Sequence, residues 1–305
     1  MTRQKVIDLL AMSRFANLPT VWSNGLLGSL LGFGYFHKIG QTSPLSLTLI
    51  GLSLSCLYLG GCFFNDWHDV AFDQKTRPDR PIPSGRWPRQ SILIFALTLM
   101  GLGFILSALV TPVSAFFATG IIICILAYTK WHKVHPASFI FMAGARALIY
   151  PLAAFSFISW EQFTSLTPQS WAHFPLLALG LGGYILGISL TARAETSKDP
   201  VSDIGKSFPI LCLCTPILFF SGPLLLQIPA AAIIPLALFI FTLSIIVRRL
   251  RSTHDVGAFV SRTLAAIPLV DFLLVFPLAS HAIFWIIVPL LALAALALQK
   301  IAPAT

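Results

Sequence analysis

The sequence predicts an all-α, polytopic membrane bundle, and three observations carry that prediction. Hydrophobic residues make up 56% of the 305-residue chain and charged residues only 10%, against roughly 25% charged residues in an ordinary soluble domain. Apolar stretches of about 20 residues, the length that crosses the hydrocarbon core, recur along the whole chain and leave no room for a separate soluble domain. The basic residues are confined almost entirely to alternate loops. A single membrane domain over residues 1–305 is therefore expected.

Spans are expected at 18–36, 45–64, 91–110, 113–130, 137–158, 172–192, 208–226, 229–247, 262–279 and 281–299. The junction at Thr111-Pro112 is tight. The pair around Ser280-His281 reads equally as one bent helix, so the count is nine or ten. Residues Met1 to Asn24 carry Arg3, Lys5, Asp8 and Arg14 and lack the unbroken apolar core and small-residue cleavage site of a secretory signal. They read as an interfacial helix leading into the first span. Trp22, Trp67, Trp131, Trp160 and Trp171 fall near span ends, where the amphipathic indole is favoured.

Charge gives the orientation independently. With the N-terminus inside, 18 of the 20 Lys and Arg fall on the inner side, leaving Lys38 outside and Arg146 within a span. The positive-inside rule then puts both termini and the 65–90 and 193–207 loops in the cytoplasm. The net charge of +9 thus lies in short loops and calls for no nucleic acid. Cys56, Cys62, Cys124, Cys212 and Cys214 sit in apolar stretches without metal-ligand spacing and read as small buried hydrophobes.

The acids are concentrated. Of 11 in the chain, Asp66, Asp69, Asp73 and Asp79 lie in the first long inner loop, and Glu195, Asp199 and Asp203 in the second. Asn65, Asp69 and Asp73 recur every fourth residue, within about 80° of one helical face, and Asp66 adds about 20°. Like charges so spaced repel one another, and at a membrane boundary they call for a cation. Oxygen-only ligands suit Mg²⁺, which takes one or two carboxylates and leaves positions for water and phosphate.

Downstream, Arg77-Pro78-Asp79-Arg80-Pro81-Ile82-Pro83 reads as a stiff extended loop presenting Arg77 and Arg80 to phosphate oxygens. Acids for a metal followed by arginines for phosphate describe a Mg²⁺-diphosphate site. In the second cluster Glu195, Asp199 and Asp203 also repeat every four residues, but Pro200 disfavours helix before it. The sixth span is expected to end near Lys198, with Asp199 capping a short new helix and Lys206 offering a point charge to phosphate.

These residues resemble the UbiA superfamily of intramembrane prenyltransferases. The string N-D-x-x-D-x-x-x-D-x-x-x-R-P-x-R-P-I-P-S-G, Asn65 to Gly85, is highly specific to it, and the likeness covers nearly the whole chain. Arg14 to Asn24 is similar to the superfamily's opening, Gly144-Ala145-Arg146 to its fifth helix, and Asp199 to Ser207 to its second aspartate motif. The second motif departs from the pattern: Pro200 interrupts it, and Thr191-Ala192-Arg193-Ala194-Glu195 is similar to a less-characterised bacterial, EboC-like subset.

The resemblance implies helices in a horseshoe around a central cavity, usually nine spans, and a bacterial inner-membrane protein with its site on the cytoplasmic side. It implies Mg²⁺-dependent transfer of a prenyl group from an allylic diphosphate to an aromatic or lipid acceptor. Asn65, Asp66, Asp69, Asp73, Asp199, Asp203 and Glu195 would then hold metal, the first motif indispensably and the second with graded effect. Arg77, Arg80, Lys206, Lys130 and Arg146 would neutralise the diphosphate, and Phe-rich helices would steady a carbocation.

Two other readings stand beside this one. A CDP-alcohol phosphotransferase also uses Asp-bound metals, but its D-G-x-x-A-R core is absent after Asp69. A transporter or structural membrane protein would need no diphosphate site. His68 lies about 180° from the metal face and reads as interfacial packing, and His132 and His135 as headgroup contacts in a basic turn. Asp271, alone in an apolar span, reads either as functional or as a buried helix–helix hydrogen bond. The orientation is testable: a cysteine at Ser84 should react with an impermeant thiol reagent only after the membrane is opened, and labelling in intact cells would reverse the topology.

Overall fold

The computed structural model describes residues 3–36, 43–167, 173–194, 203–220, 233–275 and 284–301, and every regular element among them is helical. The chain opens with α1 (Arg3–Met12), passes a 3₁₀ turn at Phe15–Asn17, and continues as α2 (Leu18–Phe36), α3 (Pro44–His68) and α4 (Val70–Thr76). Then come α5 (Arg89–Val110), α6 (Pro112–Trp131), α7 (Phe139–Ala147), α8 (Ile149–Ala154) and α9 (Trp160–Thr164). The remainder is α10 (His173–Ala194), α11 (Asp203–Leu213), α12 (Thr215–Phe220), α13 (Ile233–Thr253), α14 (Val256–Ala265), α15 (Ile267–Val275) and α16 (Phe284–Ile301).

Local chemistry sets the helix starts. Ser43 accepts the Ser46 amide at 3.0 Å and Thr111 the Ser114 amide at 3.0 Å, each with proline as the first helical residue. Thr111-Pro112 thereby ends α5 and begins α6 with no intervening loop, as its sequence suggests.

Among the described residues six helices are long and apolar enough to cross a membrane: Pro44–His68, Arg89–Val110, Pro112–Trp131, Phe139–Phe157, Phe174–Ala192 and Ile233–Thr253. The pair α14 and α15, bent by 40°, makes a seventh if it is one span. Large side chains such as Ile94, Leu109, Phe116 and Ile123 point outward, the arrangement expected where lipid is the solvent. The chain is an integral membrane protein. Helix α2 forms over the whole of the expected 18–36 span but buries Thr20, Ser23, Asn24 and Ser29. The expected 172–192, 208–226, 229–247, 262–279 and 281–299 spans run partly outside the described residues.

Between membrane helices the hydrophobic effect is weak, and close packing depends on small residues. Helices α3 and α5 meet that way. A Cβ on Gly103 would lie 2.8 Å from Leu57 Cγ and 3.0 Å from the Ser53 carbonyl oxygen, and one on Gly60 would lie 2.9 Å from the Ala96 carbonyl oxygen. Ser53 Oγ donates to the Gly103 carbonyl at 2.6 Å across the same contact.

A second tie lies deeper. Asp271 of α15 is fully buried and accepts hydrogen bonds from Ser23 and Asn24 of α2, the latter at 2.6 Å, and from the Tyr150 hydroxyl of α8. Of the two readings of Asp271, the structure contains the helix–helix hydrogen bond.

Gly103→Leu should destabilise the protein by about 1–3 kcal/mol through overpacking. Gly101→Leu, where nothing lies within 4 Å, should be neutral. Equal thermal midpoints for the two variants in detergent would refute the small-residue contact as the limit on α3–α5 packing.

Candidate active site

Helix α3 runs almost without interruption into α4. Asp69 sits between them at φ −77°, ψ 0°, its amide donating to the Asn65 carbonyl at 2.9 Å while its own carbonyl accepts the Asp73 amide at 2.9 Å. The four-residue repeat therefore survives the junction, and the carboxylates share a face. Asp66, Asp69 and Asp73 are 9%, 5% and 3% exposed. They are buried acids, not a solvated stripe, and buried charge must be compensated.

The compensation comes from three other segments, two of them distant in sequence. Arg14 donates to Asp66 Oδ1 at 2.9 Å and to the Cys62 carbonyl at 3.4 Å, from a backbone in the left-handed region at φ 46°. Arg80 donates to Asp73 Oδ2 at 2.8 Å and lies 3.8 Å from Asp66 Oδ1. His132 Nε2 lies 3.1 Å from Asp69 Oδ2, with Nδ1 2.9 Å from the Thr129 carbonyl, and Lys133 Nζ is 3.4 Å from the same Asp69 oxygen. Burial alone would raise the Asp69 pKa. The hydrogen bond and charge of His132, with Lys133, override it and hold the carboxyl below its ordinary value.

Two oxygens are left over. Asn65 Oδ1 and Asp69 Oδ1 are buried without a hydrogen-bond partner, although Asn65 Nδ2 donates to Asp69 Oδ2 at 3.3 Å. Unsatisfied buried acceptors are rare in folded proteins, and two hard oxygens on successive turns fit a divalent cation such as Mg²⁺. Among the described residues no three His, Cys, Asp or Glu side chains converge on one metal position. One carboxylate and one amide agree with an ion that leaves most of its positions to water and phosphate.

Beneath this cluster lies a cavity of about 330 Å³ between α3, α6, α7, α10 and α14. Its α3 wall runs from Asn65 through Cys62, Gly61, Tyr58 and Leu57 to Leu54, about 16 Å of helix at 1.5 Å per residue. Asn65, Arg14 and Asn17 stand on its lining with Tyr58, Tyr128 and Arg146, while Leu57, Ile121, Ile149, Ile188 and Val260 make the remainder apolar. Among the described residues the aromatic side chains on the lining are these two tyrosines, not the phenylalanines that the sequence suggested.

The residues expected at the site are placed as follows. Asn65, Asp66, Asp69, Asp73 and Arg80 come together, and Arg146 lines the cavity. Arg77 is exposed at the end of α4. Lys130 is exposed and holds its ammonium 5.4 Å above the Trp131 ring, apart from the cluster. Lys133, three residues later, makes the contact instead. Asp203 begins α11 and Lys206 follows one turn on, while Glu195 and Asp199 lie outside the described residues. Arg14, His132 and Lys133 were not read as site residues. Their nearness to polar span ends was the available signal. His68 is 3.6 Å from Asp69 Oδ1 and largely at the surface.

The proline loop also differs from expectation. It is not extended but folded into turns, with the Ser84, Gly85 and Trp87 amides donating to the Arg80, Ile82 and Pro81 carbonyls at 3.0, 3.0 and 3.1 Å. Proline's φ suits the second position of a turn as well as extended chain, and burying Ile82 against Met12, Phe63 and Val70 decides between them. This is why Arg80 points inward to Asp73. Arg86 staples the loop to α1, donating through Nε and Nη2 to Asp8 at 3.0 and 3.2 Å.

Burial would raise the Asp8 pKa, but Arg86 and Gln4 hold it below the usual carboxylate value. A depressed folded pKa adds stability above the unfolded value of about 3.9, and that stability is lost as pH falls through the folded one. Arg86→Ala should therefore loosen the loop at neutral pH by about 1–3 kcal/mol and flatten the acid dependence of proteolysis within 77–88. A variant that was cleaved as slowly as wild type at pH 7, or that kept the wild-type rise in cleavage from pH 7 to pH 3, would contradict the staple.

Comparison with known proteins agrees with this architecture. The UbiA prenyltransferase family model matches residues 25–267. A digeranylgeranylglyceryl phosphate synthase of Methanosarcina barkeri is 30% identical over 134 residues, 42% of this chain and 46% of the relative. A protoheme IX farnesyltransferase of a Picosynechococcus species is 28% identical over 206 residues, 66% of this chain and 58% of the relative. The chain thus spans about half the length of the curated relatives it matches. A UbiA homologue from Archaeoglobus fulgidus, solved bound to DMAPP and Mg²⁺, has a TM-score of 0.54 at 16% identity, covering 96% of this chain and 99% of its own. The family model extends over most of the sequence and the helices follow the same fold: this chain belongs to the UbiA prenyltransferase family.

Proposed function

We propose that this protein is an intramembrane prenyltransferase that moves a prenyl group from an allylic prenyl diphosphate to a hydrophobic acceptor, aromatic or lipid. The observation that carries this reading is the pair of unsatisfied oxygens, Asn65 Oδ1 on the lining of an apolar membrane cavity and Asp69 Oδ1 one helical turn beyond it. The names of the relatives support it, as does the Archaeoglobus homologue bound to DMAPP and Mg²⁺.

In this reading Asn65, Asp69 and Asp73 hold Mg²⁺, with Asp66 fixing Arg14 and Arg80 beside them. Asp203, Asp199 and Glu195 complete the metal set from the second acidic segment, with graded effect. Bound there, Mg²⁺ supplies charge that stabilises the diphosphate leaving group. Arg77 and Arg80 add fork donors to its oxygens, and Lys206 and Lys133 add point charges. The apolar walls keep water from the ionising carbon, and the π faces of Tyr58 and Tyr128 can stabilise the positive charge that develops there. Lys130 takes no part in this arrangement. The reading includes a single domain of nine or ten spans in a bacterial inner membrane, both termini and the acidic loops cytoplasmic.

The test is turnover of a radiolabelled prenyl diphosphate in membranes supplied with lipid extract as acceptor, with and without Mg²⁺. Asp69→Asn is the informative variant, because it keeps the shape beside His132 and Lys133 while removing the ligand charge. It should lower kcat/KM on the order of 10²-fold or more, shift the Mg²⁺ dependence upward, and leave the thermal midpoint nearly unchanged. Wild-type turnover in that variant would eliminate the metal assignment.

A further inference from the structure

At the end of the bundle that carries the acidic cluster, α1, the last turn of α3 and the start of α5 meet around two indoles. Trp67 and Trp87 are partly buried, packed against the cluster of Met12, Phe63, Val70, Ile82 and Ile92. Each carries a cation on its face. Lys5 Nζ stands 5.7 Å from the Trp87 ring centre. The Arg89 guanidinium stands 5.0 Å from the Trp67 ring centre, and its Nε donates to the Trp67 carbonyl at 3.3 Å. Among the described residues neither cation forms an ion pair with a carboxylate. Asp8, the acid of α1, is already engaged by Arg86 and Gln4. Arg3, exposed at the start of α1, adds a third positive charge.

The surface around these cations has the character of a membrane boundary. Helix α1 buries Asp8 and Met12 and turns Val6 and Ile7 outward, 43% and 47% exposed. A helix that keeps its acid inside and its apolar side chains out suits the level between headgroups and acyl chains. On α5 the outward apolar residues begin with Ile94 and Phe95, about 8 Å along the axis from Arg89. An acyl chain lying on them brings its phosphate to the level of Arg89. The stacking matters as well. Each indole face holds its cation in place, so less freedom is lost when a phosphate binds.

We propose that Lys5 and Arg89 bind the phosphate of an anionic phospholipid, with Trp67 and Trp87 as the base of the site and the outer face of α5 as the track for an acyl chain. Charge selects the headgroup: the ammonium of a zwitterionic lipid would face Arg3 and Lys5, whereas an anionic lipid meets them with no cation of its own. The site adjoins the contact of Arg86 with Asp8. A bound lipid therefore holds α1 against the loop that carries Arg80.

The experiment measures the thermal midpoint of the full chain in neutral detergent micelles at constant ionic strength, titrated with phosphatidylglycerol, phosphatidylcholine or soluble glycerol phosphate. Phosphatidylglycerol should raise the midpoint and the other two should not. Lys5→Gln with Arg89→Gln should raise the phosphatidylglycerol concentration required roughly tenfold or more, and Lys5→Gln alone about threefold. The single variant removes an exposed side chain, so it decides the matter even if loss of the Arg89 bond to Trp67 unfolds the double one. Arg248→Gln with Arg251→Gln removes the same charge from exposed positions near the end of α13 and should leave the titration as in wild type. Equal weakening in the two double variants would reduce the effect to general membrane electrostatics and overturn the site. So would a wild type that phosphatidylcholine or glycerol phosphate stabilises as well as phosphatidylglycerol does, or a Lys5→Gln variant that titrates like wild type. A wild-type dimer in light scattering that Lys5→Gln converts to monomer would also overturn it, by giving this surface to a second copy of the chain.

Discussion

Three carboxylates buried at the end of one membrane helix constrain the rest of that end of the bundle. Asp66, Asp69 and Asp73 cannot be turned to solvent without rotating α3, whose opposite residues hold the α5 contact. Each must therefore be met by charge brought from elsewhere. Arg14 comes from the turn before α2, Arg80 from the proline loop, and His132 with Lys133 from just past the end of α6. The folding of those segments follows from the need. The left-handed backbone at Arg14, unusual for a residue with a side chain, aims the guanidinium at Asp66, and the turns of the proline loop carry Arg80 to Asp73.

The same arrangement accounts for what lies beneath. Charge compensation draws α1, α2, α3 and α6 together at one end, while α3 packs on α5 through small residues on its far side. The inner face of α3 is left to line a cavity, and its sequence shades from Asn65 to Leu54 in three turns. A polar mouth over an apolar interior is thereby produced by one helix, with α6, α7, α10 and α14 closing the other sides. The Asp271 tie joins α2, which carries Thr20, to α8 and α15.

How much of this was legible in the sequence follows from which interactions are local. The Asn65, Asp69 and Asp73 face could be read because helical periodicity alone places it, and the membrane helices because apolar length alone defines them. The counter-charges could not be read in this way. Arg14 meets Asp66 across 52 residues and His132 meets Asp69 across 63, and no local pattern encodes either meeting. Lys130 and Lys133 show how narrow the margin is: α6 ends at Trp131, so Lys130 stays on its outer face while Lys133 lies beyond the end and turns inward. Arg80 was read as a phosphate ligand, but its pairing with Asp73 was not legible, for another reason. Its prolines fit an extended chain and a turn equally, and the choice depended on burying Ile82.

The ion pairs of this structure also bear on how a charged substrate could enter. Arg14, Arg80 and Lys133 come close to balancing the three aspartates before anything binds. In the proposed reading, Mg²⁺ alone would leave that cluster too positive and diphosphate alone too negative, so the two would be accommodated together. Arg80 is the side chain best placed to adjust. It is shared between Asp73 and Asp66, and Arg14 already neutralises Asp66. A cation held by Asp69 and Asp73 would release Arg80 toward the phosphate oxygens without leaving any carboxylate unpaired. Arg14, held by the Cys62 carbonyl as well as Asp66, would stay. In the proposed reading the cluster would exchange its internal counter-charge for a metal and an anion while the helices around it keep their packing.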